Sequence, residues 1–437
     1  MRRRRLGLAG LPRAAAAMSA VAGVCAAVLL AEGTTARVLG QTQTFRAAVD
    51  LIAVDVQVVD RGGKPVTTLG PESFEVTLDG RKRKVVSATF TQYDITPIPK
   101  DLKAIPPVPE LPAPEAPTIA GRTFIIAIDT ASFRSLDVRV ATLAAERFTR
   151  QLLPQDAVGV FTLPYGAKLA PTTSHATARQ VIGTIMGRKP ASGLIEMSVE
   201  QVIDITSAMA TQTQMQSRAT VTKMMTDDAG GGDASDTQLC AVTNAACTEQ
   251  ALSEAQSLAT SFEQDMLQGL AGLDSLLREL QESPGRKTVI LLSGGMPVSD
   301  RSGGRPALAD EVKRLGEQAT YANATINTIY FDPSTTASFS VNSRKPKIGT
   351  GRSLGIYTRA LNEFSEPSGG ILVQASSGAG EREIDRILSD ISTYYVLGVE
   401  PDDRDRDGRP HQLKVKVAQR DVNIRNRHLV IVPKPGS

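Results

Sequence analysis

Residues 124–133 read FIIAIDTASF: five apolar residues, an aspartate, then small and hydroxyl residues. A strand covered on both faces carries such a continuous apolar run, not an alternation of apolar and polar positions. The pattern returns in DAVGVFTLP (156–164), GRKTVILLSGG (285–295) and ATINTIYFD (324–332). Between these runs, residues 136–153, 176–186, 248–281 and 307–323 place apolar side chains at helical spacing, and Pro154 stops the first of them. Strands alternating with amphipathic helices predict an α/β fold, a Rossmann-like, doubly wound and mainly parallel sheet, over residues 122–400.

The alternation continues through a helix around 354–365, a short ILVQA strand, a helix at 380–391 and TYYVLGVE (393–400). Two stretches interrupt it. Residues 188–247 are rich in Met, Thr, Gln and Ser around DDAGGGDASD (227–236), and 333–353 are polar. Both are expected to be surface insertions, at least partly mobile.

The flanks read differently. VDLIAVDVQVVD (49–60) followed by RGGK, and SFEVTLDGRKRKVVSATF (73–90) around Asp79-Gly80, predict a small N-terminal β domain of hairpins over 45–95. Eight prolines between 97 and 121 predict an extended linker over 96–121. HQLKVKV (411–417) and RHLVIVP (427–433) predict C-terminal β strands, a hairpin within 401–437.

The chain opens MRRRRLGLAGLPR and continues with an apolar stretch (14–31) and small residues. This is the order of a secretory signal over 1–40, cleaved near Ala36 or Gly40; retention would make it a membrane anchor instead. Removing residues 1–40 takes away six Arg and one Glu, so 49 basic and 46 acidic residues become 43 and 45, and the formal charge becomes −2. The basic excess therefore belongs to the leader, and nothing electrostatic favours nucleic acid as a partner. No Trp and 4% aromatics leave no stacking platform for sugars or bases. Beyond the leader only Cys240 and Cys247 remain, and in an oxidising compartment the pair is expected to close a local disulfide.

A strand ending in Asp, doubly wound helices and a late strand ending in Ser-Gly-Gly resemble a von Willebrand factor type A domain. LIAVDVQVVDRGGKPVTTLGPESFEVTLDGRKRKVVSATF before it and TYYVLGVEPDDRDRDGRPHQLKVKV after it resemble the bacterial VWFA-related family, known chiefly from acidobacteria, over residues 45–433. The resemblance implies an exported protein with a Rossmann-like core that mediates contacts with proteins or ligands. Type A domains often hold Mg²⁺ or Mn²⁺ through a D-x-S-x-S loop, a Thr and a second Asp, an oxygen set suited to a hard cation. Here Asp129 matches the first position, but Ala131 and Phe133 stand at the serine positions and Gly294 at that of the second Asp, while ASGLIEM (191–197) supplies no Thr. Thr130 and Ser132 carry hydroxyls at the wrong offsets. One surviving carboxylate does not hold Mg²⁺, so Asp129 is expected to be structural and no metal or other cofactor is expected.

DRDRDG (403–408) matches the first half of a calcium loop through Asp403, Asp405 and Asp407, but Lys414 stands where a bidentate Glu is needed, so a charged turn is expected. KPKIGTGRSLG (345–355) lacks the form of a phosphate loop. His175, His411 and His428 lie in unrelated segments, His411 and His428 facing each other at most across a hairpin, and no hydrolase motif is present. Tyr394 and Tyr395 are expected in the core or at a sheet edge.

These readings predict a non-enzymatic binding module of the cell envelope, secreted or periplasmic, that meets a protein partner through the carboxyl-end loops of its sheet: Asp129, Thr130, Ser132, Ser293, Gly294 and Asp332. The alternative is a metal-dependent adhesin (Mg²⁺, Mn²⁺ or Ca²⁺) with a non-standard site.

Overall fold

The apolar runs do become strands. In a computed structural model that describes residues 51–93, 121–189, 197–229, 245–332, 351–375 and 381–434, a six-stranded sheet is built from β4 (Thr123–Asp129), β5 (Ala157–Leu163), β6 (Lys168–Thr172), β7 (Lys287–Ser293), β8 (Ala324–Phe331) and β9 (Leu372–Ala375). Its order is β6-β5-β4-β7-β8-β9, with every neighbour parallel except β6, which runs antiparallel to β5. Counted along the chain within this sheet, the order is 3-2-1-4-5-6, the doubly wound arrangement that reverses between its first and fourth strands.

Successive side chains of β4 serve the two faces. Phe124, Ile126 and Ile128 pack with α1 (Arg139–Arg150), α2 (His175–Gly183) and α8 (Glu381–Ser392). Ile125 and Ala127 pack with α5 (Ala245–Gln281), α6 (Ala309–Tyr321) and α7 (Gly351–Ser365). All of these strand residues are essentially unexposed. At roughly 1.5–3 kcal/mol for each large side chain buried, these two layers dominate the stability of the domain.

The β flanks differ from the sequence reading. The strands at the two ends of the chain form one seven-stranded sheet in the order β12-β1-β10-β3-β2-β11-β13. Its members are β1 (Ile52–Asp60), β2 (Phe74–Leu78), β3 (Arg81–Gln92), β10 (Thr393–Glu400), β11 (Pro410–Val417), β12 (Val422–Asn426) and β13 (Leu429–Ile431). TYYVLGVE, which continues the α/β pattern in sequence, is β10, central in this antiparallel sheet between β1 and β3. The physical reason is size: short hairpins cannot bury enough apolar surface alone, whereas three pieces joined share one core. Tyr395 lies in that core between Phe74 and Phe90, each ring centre 5.2 Å away, and its hydroxyl donates to the Val66 carbonyl at 2.8 Å. The Asp79-Gly80 turn forms as the dipeptide predicts, with φ of 47° and 77° at its central residues. RGGK turns the chain after β1, but β1 pairs with β10 and β12, and only a Val59–Pro65 bridge is left of the first hairpin.

The segment expected as a mobile insertion is largely helical where described. α3 (Val199–Thr211) and α4 (Gln214–Ala229) pack on α5 through Ile205, Val221, Ala251 and Ala255. Ser198 starts α3 with a capping box closed by Gln201. The leader, the proline-rich linker, the segment after Asp332 and Cys240 lie outside the described residues, as does the side chain of Cys247, and with them the disulfide. Among the described residues no helix is long and apolar enough to cross a membrane.

Candidate binding crevice

The reversal of strand order parts the chain at the carboxyl ends of β4 and β7: the chain leaving β4 turns to one face of the sheet and the chain leaving β7 to the other. Open α/β sheets bind ligands in such a crevice. Here β4 ends on Asp129 and β7 on Ser293, 4% and 0% exposed.

The polar atoms of the crevice satisfy one another. Ser293 Oγ donates to Asp129 Oδ2 at 2.7 Å and accepts from the Gly295 amide at 3.0 Å, which fixes its direction. Ser132 Oγ donates to the Asp129 carbonyl at 2.8 Å and accepts from the Gly294 amide at 2.7 Å. Thr130 Oγ1 donates to the Leu163 carbonyl at 2.7 Å, tying in the end of β5. Gly294 is confined by this closeness, since a β-carbon there would lie 2.8 Å from the Ser132 carbonyl oxygen. Burial pushes the Asp129 carboxyl above the ordinary aspartate range, and the hydrogen bonds of Ser293 and Ser132 pull it part of the way back.

The charge of a cation, Lys189, also acts on this carboxyl. The chain leaving α2 crosses the loop after β4, with the Arg188 amide donating to the Thr130 carbonyl and the Lys189 amide to the Phe133 carbonyl, both at 2.8 Å. Half-buried Lys189 is held below the usual lysine range by burial and by the charge of Arg134, against the pull of Asp129, Asp265 and Asp137. Asp265, from α5, is raised by burial and lowered by Lys189. On the rim, Leu136 and Met186 are 83% and 61% exposed, and Arg188 stacks over the exposed ring of Tyr165 at 3.7 Å. Lys189, Arg188, Tyr165 and Met186 escaped the sequence reading. Their one signal was the basic pair at 188–189, which stands at the start of a polar segment.

These residues do not fit a divalent cation. Ala131 and Phe133 bring no oxygen, and Phe133 is buried against Phe331 with ring centres 6.1 Å apart. The nearby hydroxyls are committed to backbone or to Asp129. Asp332, at the end of β8, acts instead on Tyr330 and Tyr357: burial first, and then its charge, raise both phenols, Tyr357 to about 12. Among the described residues no group of three or more His, Cys, Asp and Glu side chains is placed to hold a metal.

The DRDRDG turn is likewise closed. Arg83 reaches Asp405 with two hydrogen bonds of 2.6 Å, the two side chains 7% and 6% exposed, and this pairing holds the carboxyl low. Asp405 also accepts from the Asp402 amide, forming a capping box around a short 3₁₀ turn that contains Asp403. The ring of His411 bridges Asp79 Oδ2 at 2.8 Å and Asp407 Oδ1 at 3.0 Å. Burial disfavours its charge, but the two carboxylates outweigh burial and raise its pKa. His428 meets this strand through its backbone only, its carbonyl accepting from the Leu413 amide, and His175 contacts the Asp156 carbonyl at 2.8 Å.

No family profile and no curated protein matches the sequence. Among solved structures, the chain is similar to a conserved hypothetical protein BatB from Bacteroides thetaiotaomicron, at 14% identity and a TM-score of 0.31, covering 62% of this chain and 99% of that one. It is similar to an aerotolerance-related membrane protein from Bacteroides fragilis, at 12% identity and a TM-score of 0.30, covering 62% and 98%. Human COPII-coat protein Sec24c follows at 11% identity and a TM-score of 0.25, covering 72% of this chain and 44% of that one. Likenesses this distant bear no weight beside the strand order itself.

Proposed function

We propose that this chain is an exported, non-enzymatic binding module of the von Willebrand A-like class and of the VWFA-related type, recognising a protein partner of the cell envelope without a bridging metal. The observation that supports this most is the hydroxyl network around Asp129. In it Ser293 donates to the one carboxyl that matches a metal-dependent domain, Ser132 ties the loop after it to Gly294, and the ammonium of Lys189 supplies positive charge from within the chain. The rim adds exposed Tyr, Met and Arg side chains, the types enriched where protein interfaces form. Against catalysis stands the same closure: the crevice hydroxyls donate to backbone or to a buried carboxyl, and no histidine accompanies them.

Calorimetric titration of the EDTA-treated protein with Mg²⁺, Mn²⁺ and Ca²⁺ tests the metal-free reading, with no heat expected for any ion. Heat abolished by Asp129→Ala would establish the metal-dependent alternative, and heat abolished only by Asp405→Ala would place calcium in the DRDRDG turn. Chemical crosslinking to envelope proteins tests the surface. Crosslinks are expected to persist in EDTA and to disappear in Tyr165→Ala/Arg188→Glu.

A further inference from the structure

At the opposite end of the parallel sheet, where it meets the antiparallel one, a cavity of about 30 Å³ opens among charged side chains. Arg286 reaches it from the turn before β7, Asn327 from β8, Asp55 from β1, Asp390 from α8, and Arg425 and Arg427 from β12 and the residue after it. Among the described residues the charges do not balance. Arg425 Nη1 pairs with Asp390 Oδ2 at 2.9 Å, which leaves Asp55 to serve two guanidinium groups, Arg286 Nε at 3.3 Å and Arg427 Nη2 at 3.6 Å. The Arg427 side chain is only 12% exposed. Burial lowers its pKa and the neighbouring Arg286 lowers it further, against the pull of Asp55, as expected for a guanidinium with too little counter-charge.

Among the described residues, two donors at this cavity lack acceptors. Asn327 is 2% exposed and its Oδ1 accepts from the Ile371 amide at 3.2 Å, but its Nδ2 makes no hydrogen bond. Arg286 Nε, near Asp55 but poorly aligned with it, makes none either, while its guanidinium lies 4.4 Å over the ring of Tyr394. Buried donors left unmade cost about 1–3 kcal/mol each in proteins generally, so a group that accepts from both is favoured there. A cation is repelled by three arginines. Water accepts but does not balance charge. An oxyanion of several heavy atoms does not fit a space sized for one or two water-like atoms.

We infer that this cavity binds one monatomic anion, a halide such as chloride, which accepts from Asn327 and Arg286, balances the surplus charge of Arg427 and joins the two sheets.

The test is thermal unfolding of the full chain in sodium chloride, sodium bromide and sodium gluconate at matched ionic strength. Chloride and bromide are expected to raise the melting temperature by roughly 1.5 °C per tenfold increase above half-saturation, while gluconate leaves it unchanged. Asn327→Asp keeps the acceptor for the Ile371 amide and supplies a fixed negative charge, so its melting temperature is expected to lose the halide dependence. Equal melting in chloride and gluconate at every concentration, or an Asn327→Asp protein with the full wild-type dependence, overturns the inference. Should that variant fail to fold, crystals of the wild-type protein soaked in bromide decide. An anomalous peak between Arg286, Asn327 and Arg427 supports the site, and its absence at full soak overturns it.

Discussion

The two ends of the parallel sheet solve the same problem differently. At the carboxyl end a single carboxyl, Asp129, is withdrawn from water and met by hydroxyls, so that little net charge is buried and every described hydroxyl has a direction. At the amino end five charged side chains converge where the two sheets join, and distances of 3.3 and 3.6 Å leave Asp55 divided between two arginines. Closure by hydroxyls makes a self-sufficient floor, and the exposed side chains lie on its rim. Closure by charges leaves a residue of unpaired donors and invites a third species. One fold thus holds both kinds of closure.

The largest effect is expected where a buried pair is broken outright, which supplies a scale for both ends. Arg83→Met strands Asp405 and should cost about 3 kcal/mol in urea unfolding. A cost under about 1 kcal/mol would show that buried charge is cheap in this protein, and would weaken the contrast between the two ends. Next comes Ser293→Ala, which removes the donor to Asp129 Oδ2 and should cost about 1–3 kcal/mol. Asp129→Asn should cost less than Ser293→Ala, because its amide oxygen can still accept from Ser293.

The pH dependence sharpens the difference. Asp129 has a raised folded pKa, so its contribution is complete below the ordinary carboxylate pKa of about 4 and is lost as pH rises through the folded value. The melting temperature of Asp129→Asn relative to wild type should therefore climb between pH 4 and the neutral range of about 7. No climb would mean that the crevice carboxyl titrates like an exposed one. His411 also has a raised pKa, and its contribution is complete below about 6.5 and lost as pH rises through the folded value. Its carboxylate partners Asp79 and Asp407 are lowered, so their share is present above the ordinary carboxylate range and lost as pH falls through their folded values. His411→Gln should consequently fall furthest behind wild type between about pH 4 and 6.5, a window that circular dichroism melts can read directly. The smallest effect on stability belongs to the rim. Tyr165→Ala should stay within about 0.5 kcal/mol of wild type while abolishing crosslinks. Unfolding comparable to that of Ser293→Ala would make Tyr165 part of the floor instead.

How much of this was legible depended on how local each feature is. The parallel strands could be read because burial on both faces writes itself into five or more consecutive residues, and the Asp79-Gly80 turn because two backbone angles select the dipeptide. β6 was missed: KLAPT is short, half-exposed and carries Pro171, which only an edge strand tolerates. α3 carried its signal in S-x-x-Q at Ser198 and Gln201, but the polar composition around it concealed the helix. Asp129 could be singled out in the sequence, whereas its partner Ser293 lies 164 residues away and Lys189 is brought alongside by a crossing segment. Pairing at such separations is set by the fold, and no local pattern records it.

The position of β10 has a consequence for the order in which the molecule is made. Among the described strands, β1 pairs with those at 393–400 and 422–426, so it must wait for almost the last of them. Until then, among the described strands, β2 and β3 have only each other to pair with. A chain stopped after Ile391 would retain every strand of the six-stranded sheet and lose four of the seven described strands of the other, so that the second sheet is complete only once residues 429–431 have been made.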